Sequence, residues 1–264
     1  MNSRFSFAKI FMIVVMVFIY TPIVILMVYS FNGARYVNVW GGFSTKWYAT
    51  ILEDQSLINA AITSLNIATS SATLATILGT MAGLSLYRFK NFPGRTLFTG
   101  MLSVPFIIPE VITGFSLLLI FVVIEQMLGW PKERGSITVI MAHTTVGISY
   151  VAVTVLARLS SFDKSLEEAA MNLGARPLKI FFVITLPIIA KSLVAGWLLA
   201  FTLSLDDVVI ASFTSGAGTT TLPMLIYSRV KFGISPQINA LASIMIVGVV
   251  FTILVAYIVS TKRK

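Results

Sequence analysis

Six stretches of this chain are long and apolar enough to cross a lipid bilayer, and that constrains the fold more than any other feature. Ile10 to Phe31 contains no charged residue, and neither does Gln55 to Tyr87 or Asn239 to Thr261. At 1.5 Å of rise per residue, about 20 such residues span the hydrocarbon. Backbone N–H and C=O groups find no water there, and helices satisfy them internally. The expected fold is therefore all-α, with spans at about residues 10–31, 59–86, 98–124, 136–158, 186–212 and 239–261 in one membrane domain over residues 1–264. The first run is too long for the core of a signal peptide, and no small-residue cleavage site follows it, so it reads as a helix that stays.

Composition removes the soluble alternatives. Hydrophobic residues make up 57% of the 264 and charged residues 11%, where about 25% charge is usual for a soluble domain. That is too little charge to cover a soluble surface. Without cysteine there is no disulfide, iron–sulfur cluster or thiol nucleophile, and a single histidine excludes a His-rich metal site within the chain. No G-x-x-x-x-G-K-[ST] stretch occurs, so the chain cannot cradle ATP phosphates by a P-loop. The net charge of +9 reads as loops that face anionic lipid, not as a nucleic-acid surface.

Twelve Lys and Arg side chains fall at the N-terminus, in the loops after spans two and four, and in the tail: Arg4, Lys9, Arg88, Lys90, Arg95, Arg158, Lys164, Arg176, Lys179, Lys262, Arg263 and Lys264. Six fall in the other loops: Arg35, Lys46, Lys132, Arg134, Arg229 and Lys231. Positive charge marks the cytoplasmic side, so both termini are expected there. Trp40, Trp47 and Trp130 belong to the outer loops, at headgroup level. In span two, Gly79 and Gly83 form a small-xxx-small pair, which reads as close packing on a neighbouring helix of the same chain rather than as a dedicated subunit interface.

The loop over residues 159–183 does not belong to a simple membrane protein. Asp163 or Ser165 can cap a helix, and Ser165 with Glu168 has capping-box spacing. Leu166, Ala169, Ala170 and Leu173 share one apolar face. Gly174 is a natural stop, and Pro177 can open the next helix. A helix lying on anionic lipid prefers Lys and Arg on its polar face. Glu167 and Glu168 suit a protein partner better.

Glu168-Ala169-Ala170, three residues, Gly174, nine residues, then Ile184-Thr185-Leu186-Pro187 resembles the EAA loop of permease subunits of bacterial binding-protein-dependent ABC importers. The stretches Trp40-Gly41-Gly42-Phe43, Phe201 to Phe213, Thr221-Leu222-Pro223 and Gly233 to Ala242 look most like the second permease of spermidine/putrescine importers. Gly129-Trp130-Pro131 with Arg134-Gly135 looks like the putrescine branch. The resemblance implies a multi-pass inner (plasma) membrane protein with six spans and a cytoplasmic coupling helix between spans four and five. Glu167, Glu168, Ala169, Ala170 and Gly174 would then serve coupling to an ATPase. It implies a second homologous permease, two copies of a cytoplasmic ATPase and a periplasmic or lipid-anchored polyamine-binding protein as partners, alongside membrane lipid. No catalytic residue, metal or cofactor is expected of the chain itself, nor any nucleic acid.

Buried acids are the candidates for cargo contact, because a charge at the centre of a span costs about 2.5–3.5 kcal/mol on insertion scales. Glu110 follows Pro109, with Pro105 one turn earlier. Two prolines remove two helix hydrogen bonds and free carbonyls, which together with a carboxylate suit an ammonium group. Asp206 and Asp207 are adjacent and point about 100° apart on a helix, so they either share cargo contact with a helix-joining role or hold helix ends together. Trp197 offers a ring face to a cation, or packing alone. His143 reads as a hydrogen-bonded structural residue. The rival readings are a permease for another small organic solute, and an ATP-independent cation transporter or channel that would leave the EAA-like loop without a role.

Because cysteine is absent, sidedness is directly measurable. Cysteines placed at Asn91 and Asn172 are expected to react with an impermeant maleimide only from the cytoplasmic face, and cysteines at Asn38 and Ala217 only from outside. The opposite labelling would overturn the topology.

Overall fold

The computed structural model describes the backbone of residues 2–35, 39–231, 233 and 235–261, and the side chains of these apart from residues 2–6, 249 and 251–261. Asn38, Ile234 and the tail residues Lys262, Arg263 and Lys264 lie outside the described residues, as does the side chain of Arg4. Among the described residues the chain is helical, with one isolated antiparallel bridge between Asn32 and Phe43. Five helical stretches are long and apolar enough to cross a membrane, and Pro236–Gly248 adds a shorter apolar one.

The chain divides into two compact units. The first comprises residues 1–58 and 226–264. Here α1 (Asn2–Tyr29) and α2 (Lys46–Glu53) both pack on α12 (Pro236–Thr261). The loop between α1 and α2 is knotted by Asn32. Its Oδ1 accepts from the N–H of Ala34 (3.0 Å) and Gly41 (2.8 Å), and its Nδ2 donates to the Val39 carbonyl (2.6 Å). Phe31 stacks on Phe43 and leans on Tyr48. Asp54 caps the start of α3 (Gln55–Arg88) by accepting from the N–H of Ser56 and Leu57. Arg229, near the end of α11 (Leu222–Lys231), donates to the same carboxylate at 2.8 Å, and that bond holds the Asp54 carboxyl well below the usual carboxylate range. In the sequence, Arg229 was legible only as an outer-loop charge.

The second unit, residues 59–225, holds most of α3 together with α4 (Arg95–Ile107), α5 (Glu110–Leu128), α6 (Ser136–Ser160), α7 (Ser165–Asn172), α8 (Pro177–Ile180), a π-helical turn (Phe181–Thr185), α9 (Leu186–Asp206) and α10 (Val209–Thr214). Its core is a seam of small residues. Ala72 and Ala75 of α3 are fully buried with Val151, Val155 and Leu159 of α6 and Ile189 and Ala200 of α9. Both glycines of the small-residue pair face α6. A Cβ on Gly79 would lie 2.7 Å from the Val151 Cβ, and one on Gly83 would lie 3.0 Å from the Ala152 carbonyl. Gly147 answers from α6, where a Cβ would come within 2.8 Å of Ala75.

Two of the expected spans are not single helices. The run from residue 98 to 124 is broken. Pro109 has no N–H for the carbonyl of Pro105, and a residue before proline prefers extended backbone. So α4 stops at Ile107, Ile108 (ψ 132°) and Pro109 (ψ 140°) are extended, and Glu110 begins α5. The fifth run, expected over 186–212, already starts as a helix at Pro177 and breaks after Asp206, where Asp207 turns out with ψ 130°.

The segment Ser165–Asn172 is a helix, but the expected capping box between Ser165 and Glu168 is absent. Instead the Asp163 carboxylate accepts from the Ser165 N–H at 3.0 Å. The stop is a left-handed Gly174 (φ 83°), with Ala175 N–H bonded to the Ala170 carbonyl and Gly174 N–H to that of Met171. That double pattern closes orphan carbonyls and needs a residue without a Cβ. Pro177 occupies the first turn of α8.

The seam generates a stability prediction. Gly79→Val should lower the midpoint of heat unfolding of the detergent-purified protein, because overpacking typically costs about 1–3 kcal/mol. Gly100→Ala, in the interior of α4 where an added Cβ meets nothing within 4 Å, should not lower the midpoint and should raise it slightly, because alanine is the better helix former.

Candidate functional site

The two helix breaks face one cavity. It has a volume of about 320 Å³ and lies between the α4–α5 break, α6 and the α9–α10 break. Pro105, Ile108, Leu203 and Val209 give it apolar walls. Glu110, Asp206 and Asp207 all line it, with His143 and Tyr150 from α6. Acids separated by almost a hundred residues are thus brought together, and no lysine or arginine is among the lining residues. The cavity is therefore acidic by construction.

The three acids differ in their partners. Asp207 is nearly enclosed. Its carboxylate accepts from the N–H of Ile210 (3.2 Å) and Ala211 (2.7 Å), so it caps α10 at its exposed amide end. It also lies 3.2 Å from Nε2 of His143. Nδ1 of His143 lies 2.6 Å from the Ser204 hydroxyl, which in turn accepts from Ser71 at 3.1 Å. A carboxylate only accepts, so Nε2 is the donor. In a neutral ring Nδ1 then accepts from Ser204, and the chain Ser71–Ser204–His143–Asp207 is satisfied throughout. It ties α3, α9 and α6 to the start of α10.

Glu110 and Asp206 are exposed to the cavity, and neither makes a hydrogen bond or ion pair to another described residue. The helix break separates them from Asp207. Had α9 continued, Asp206 and Asp207 would be alternatives on one helix surface. With the break, both still line the cavity, but Asp206 is left without a partner among the described residues while the oxygens of Asp207 turn back to close the backbone.

Trp197 is not brought to the cavity. Its ring stacks on Phe201, with centroids 5.1 Å apart, and its Nε1–H donates to the Thr73 hydroxyl at 3.1 Å, in the α3–α9 packing. The roles of Ser204 and Ser71 were not readable from the sequence, where Ser71 is one of many hydroxyl residues in its span and Ser204 lies 133 residues away.

A second surface lies on α7. Glu168, Ala169 and Gly174 are exposed, Ala170 is half-buried, and Leu166, Met171 and Leu173 leave an apolar face uncovered within the chain. Glu167 does not share it. Its carboxylate points inward and accepts from Arg88 at 3.2 Å and from the Thr185 hydroxyl.

Residues 75–264 match the family described as binding-protein-dependent transport system inner membrane component. The chain is 53% identical over 235 residues to the putrescine transport system permease protein PotI of Escherichia coli K12, covering 88% of this chain and 84% of that protein. It is 42% identical over 262 residues to the spermidine/putrescine transport system permease protein PotC of Haemophilus influenzae, covering 99% of each. Among solved structures, it resembles a chain of a bacterial ABC transporter that imports the acidic polysaccharide alginate, with a TM-score of 0.77 at 18% identity over 99% of this chain and 96% of that one. A chain of the MetNI methionine ABC transporter gives a TM-score of 0.62 at 17% identity over 76% and 92%. At such identities the likeness is one of fold.

The contrast between the acids is measurable as stability. Asp207→Ala removes a cap worth about 0.5–2 kcal/mol and leaves the buried His143 donor unpaired, at about 1–3 kcal/mol, so the heat-unfolding midpoint should fall by several degrees. Glu110→Gln and Asp206→Asn should stay within about 0.5 kcal/mol of the parent. Equal losses in all three variants would contradict the division.

Proposed function

The chain belongs to the family of binding-protein-dependent transport system inner membrane components, and on that footing we propose that it is the permease subunit of an ATP-driven polyamine importer with putrescine as its cargo. It is a multi-pass protein of the inner membrane. Hydrolysis of ATP takes place on a separate cytoplasmic ATPase, present as two copies. A second, homologous permease completes the translocation path, and a polyamine-binding protein delivers the cargo from outside. Both termini lie in the cytoplasm, and α7 is the coupling helix whose exposed face docks on the ATPase.

The observation that carries the reading is the acidic cavity with two unpartnered carboxylates. An ammonium group leaves water at a cost of several kcal/mol unless it is paired. Putrescine carries one such group at each end of a short apolar stem. Glu110 and Asp206 offer acceptors, the extended backbone offers the Ile108 carbonyl, and the apolar walls accommodate the stem. Asp207 serves structure, since its oxygens are committed to α10 and His143. The identity to the putrescine permease over most of both chains supports the same cargo.

The test is radiolabelled putrescine uptake by the reconstituted complex in ATP-loaded vesicles. Glu110→Gln and Asp206→Asn keep side-chain size and remove only charge. At least one should lower uptake about tenfold, the effect of about 1.4 kcal/mol in the transport barrier, while the complex still assembles with its ATPase. Full uptake in both would show that the cargo passes along the partner permease.

A further inference from the structure

The two adjacent glutamates of α7 do different things. Successive helical residues point about 100° apart. Glu168 is exposed, whereas Glu167 is turned toward the spans. Its Oε1 is a shared acceptor: Arg88 Nη2 donates to it at 3.2 Å, and the Thr185 hydroxyl donates to it as well. Arg88 is the last residue of α3. Thr185 is the last residue of the π-helical turn and is buried. A second link joins the same elements, because Lys164 Nζ lies 4.9 Å from the centre of the Tyr87 ring at the end of α3. The N-terminal turn of α7 is thus tied to two spans at once, while its far end, with Leu173 at 89% exposure, shows no such side-chain tie among the described residues.

The place where Glu167 grips the fifth span is not ordinary helix. From Phe181 to Thr185 the turn is wide, with the Leu186 N–H bonded to the Phe181 carbonyl five residues back. Such turns are positions where a helix can change register, and they concentrate at functional sites. A short helix joined to α6 only by the turn at Ser161 to Lys164 would otherwise tilt on its own when pushed.

We propose that Glu167 is a positioning residue: a brace that joins α7 to the end of span two and to the π-helical turn opening span five, so that a push on α7 moves both spans together. The inference rests on α7 being the ATPase dock, but assigns Glu167 to the inside of the permease rather than to the ATPase contact that its place beside Glu168 suggests.

The experiment uses the full reconstituted complex and reads two quantities, ATPase retained on pull-down and putrescine imported per ATP hydrolysed. Glu167→Ala should retain the ATPase and lower import per ATP at least fivefold. Glu167→Gln keeps an acceptor oxygen for both donors and should recover at least half of the ratio, whereas Glu167→Met, which keeps the bulk and removes the acceptor, should stay as low as Glu167→Ala. Arg88→Gln, at the more exposed end of the contact, should lower the ratio at least twofold, and it decides the matter if Glu167→Ala fails to assemble. An unchanged ratio in Glu167→Ala or Arg88→Gln, or a fall only in proportion to lost assembly, would overturn the brace. Glu168→Lys separates the two ideas. If it retains the ATPase, the docking assignment is wrong and the brace falls with it. If it releases the ATPase while Glu167→Ala keeps a normal ratio, only the brace is wrong.

Discussion

The structure depends on one constraint: in lipid, a backbone amide or carbonyl that leaves its helix must find a partner within the protein. Most of the chain obeys by staying helical. It departs at Ile108–Pro109 and at Asp207–Val208, and both departures line the same cavity. Irregular backbone is tolerated at such depth only where it is packed in protein or faces a polar space. Asp207 resolves the second break by capping α10, and His143 holds Asp207. The acid beside it is then left to face the cavity. Closing the backbone and exposing a carboxylate are two results of one break.

Around that cavity the helices are held by close approach. Lipid tails are as apolar as leucine, so hydrophobicity does little to bring helices together, and packing and polar contacts take over. The seam of Ala72, Ala75 and Gly79 against Gly147 and Val151 lets α3 and α6 touch almost backbone to backbone. The Ser71–Ser204–His143–Asp207 chain crosses the same region. The close-packed seam thus lies beside the two helix breaks, the second of them pinned by the Asp207 contacts. At the opposite end of the long helix Pro177–Asp206, the π-helical turn is held by the Glu167 contact, next to the face proposed for the ATPase.

Much of the fold was legible residue by residue. The uncharged runs marked the spans because length and hydropathy are local properties. Gly174 and Pro177 marked the end of α7 and the start of α8, because a left-handed stop needs glycine and a first turn tolerates proline. The glycine pair in span two announced a close contact. Of the two caps the sequence offers for α7, Asp163 and Ser165, it is Asp163 that takes the Ser165 amide, and the capping box with Glu168 does not form. Trp197 could be read as a platform for a cation or as packing, and its ring stacks on Phe201.

What the sequence by itself determined is the class: a helical membrane chain with acids in its spans, an amphipathic helix in a charged loop, and an EAA-like spacing that ties the two to a transport family. Hydropathy, helix caps and short motifs act over a few residues, so one chain suffices to read them. Tertiary structure alone decided which acid does what. Glu110, His143 and Asp206 meet in one cavity only after three spans have packed, and neighbouring Asp206 and Asp207 part company because a helix ends between them. Likewise Glu167 and Glu168 are equivalent in sequence and opposite in orientation, because the end of α3 and a buried threonine happen to present donors to only one of them. Such assignments belong to long-range packing, where partners separated by tens of residues supply the hydrogen bonds that no local pattern encodes.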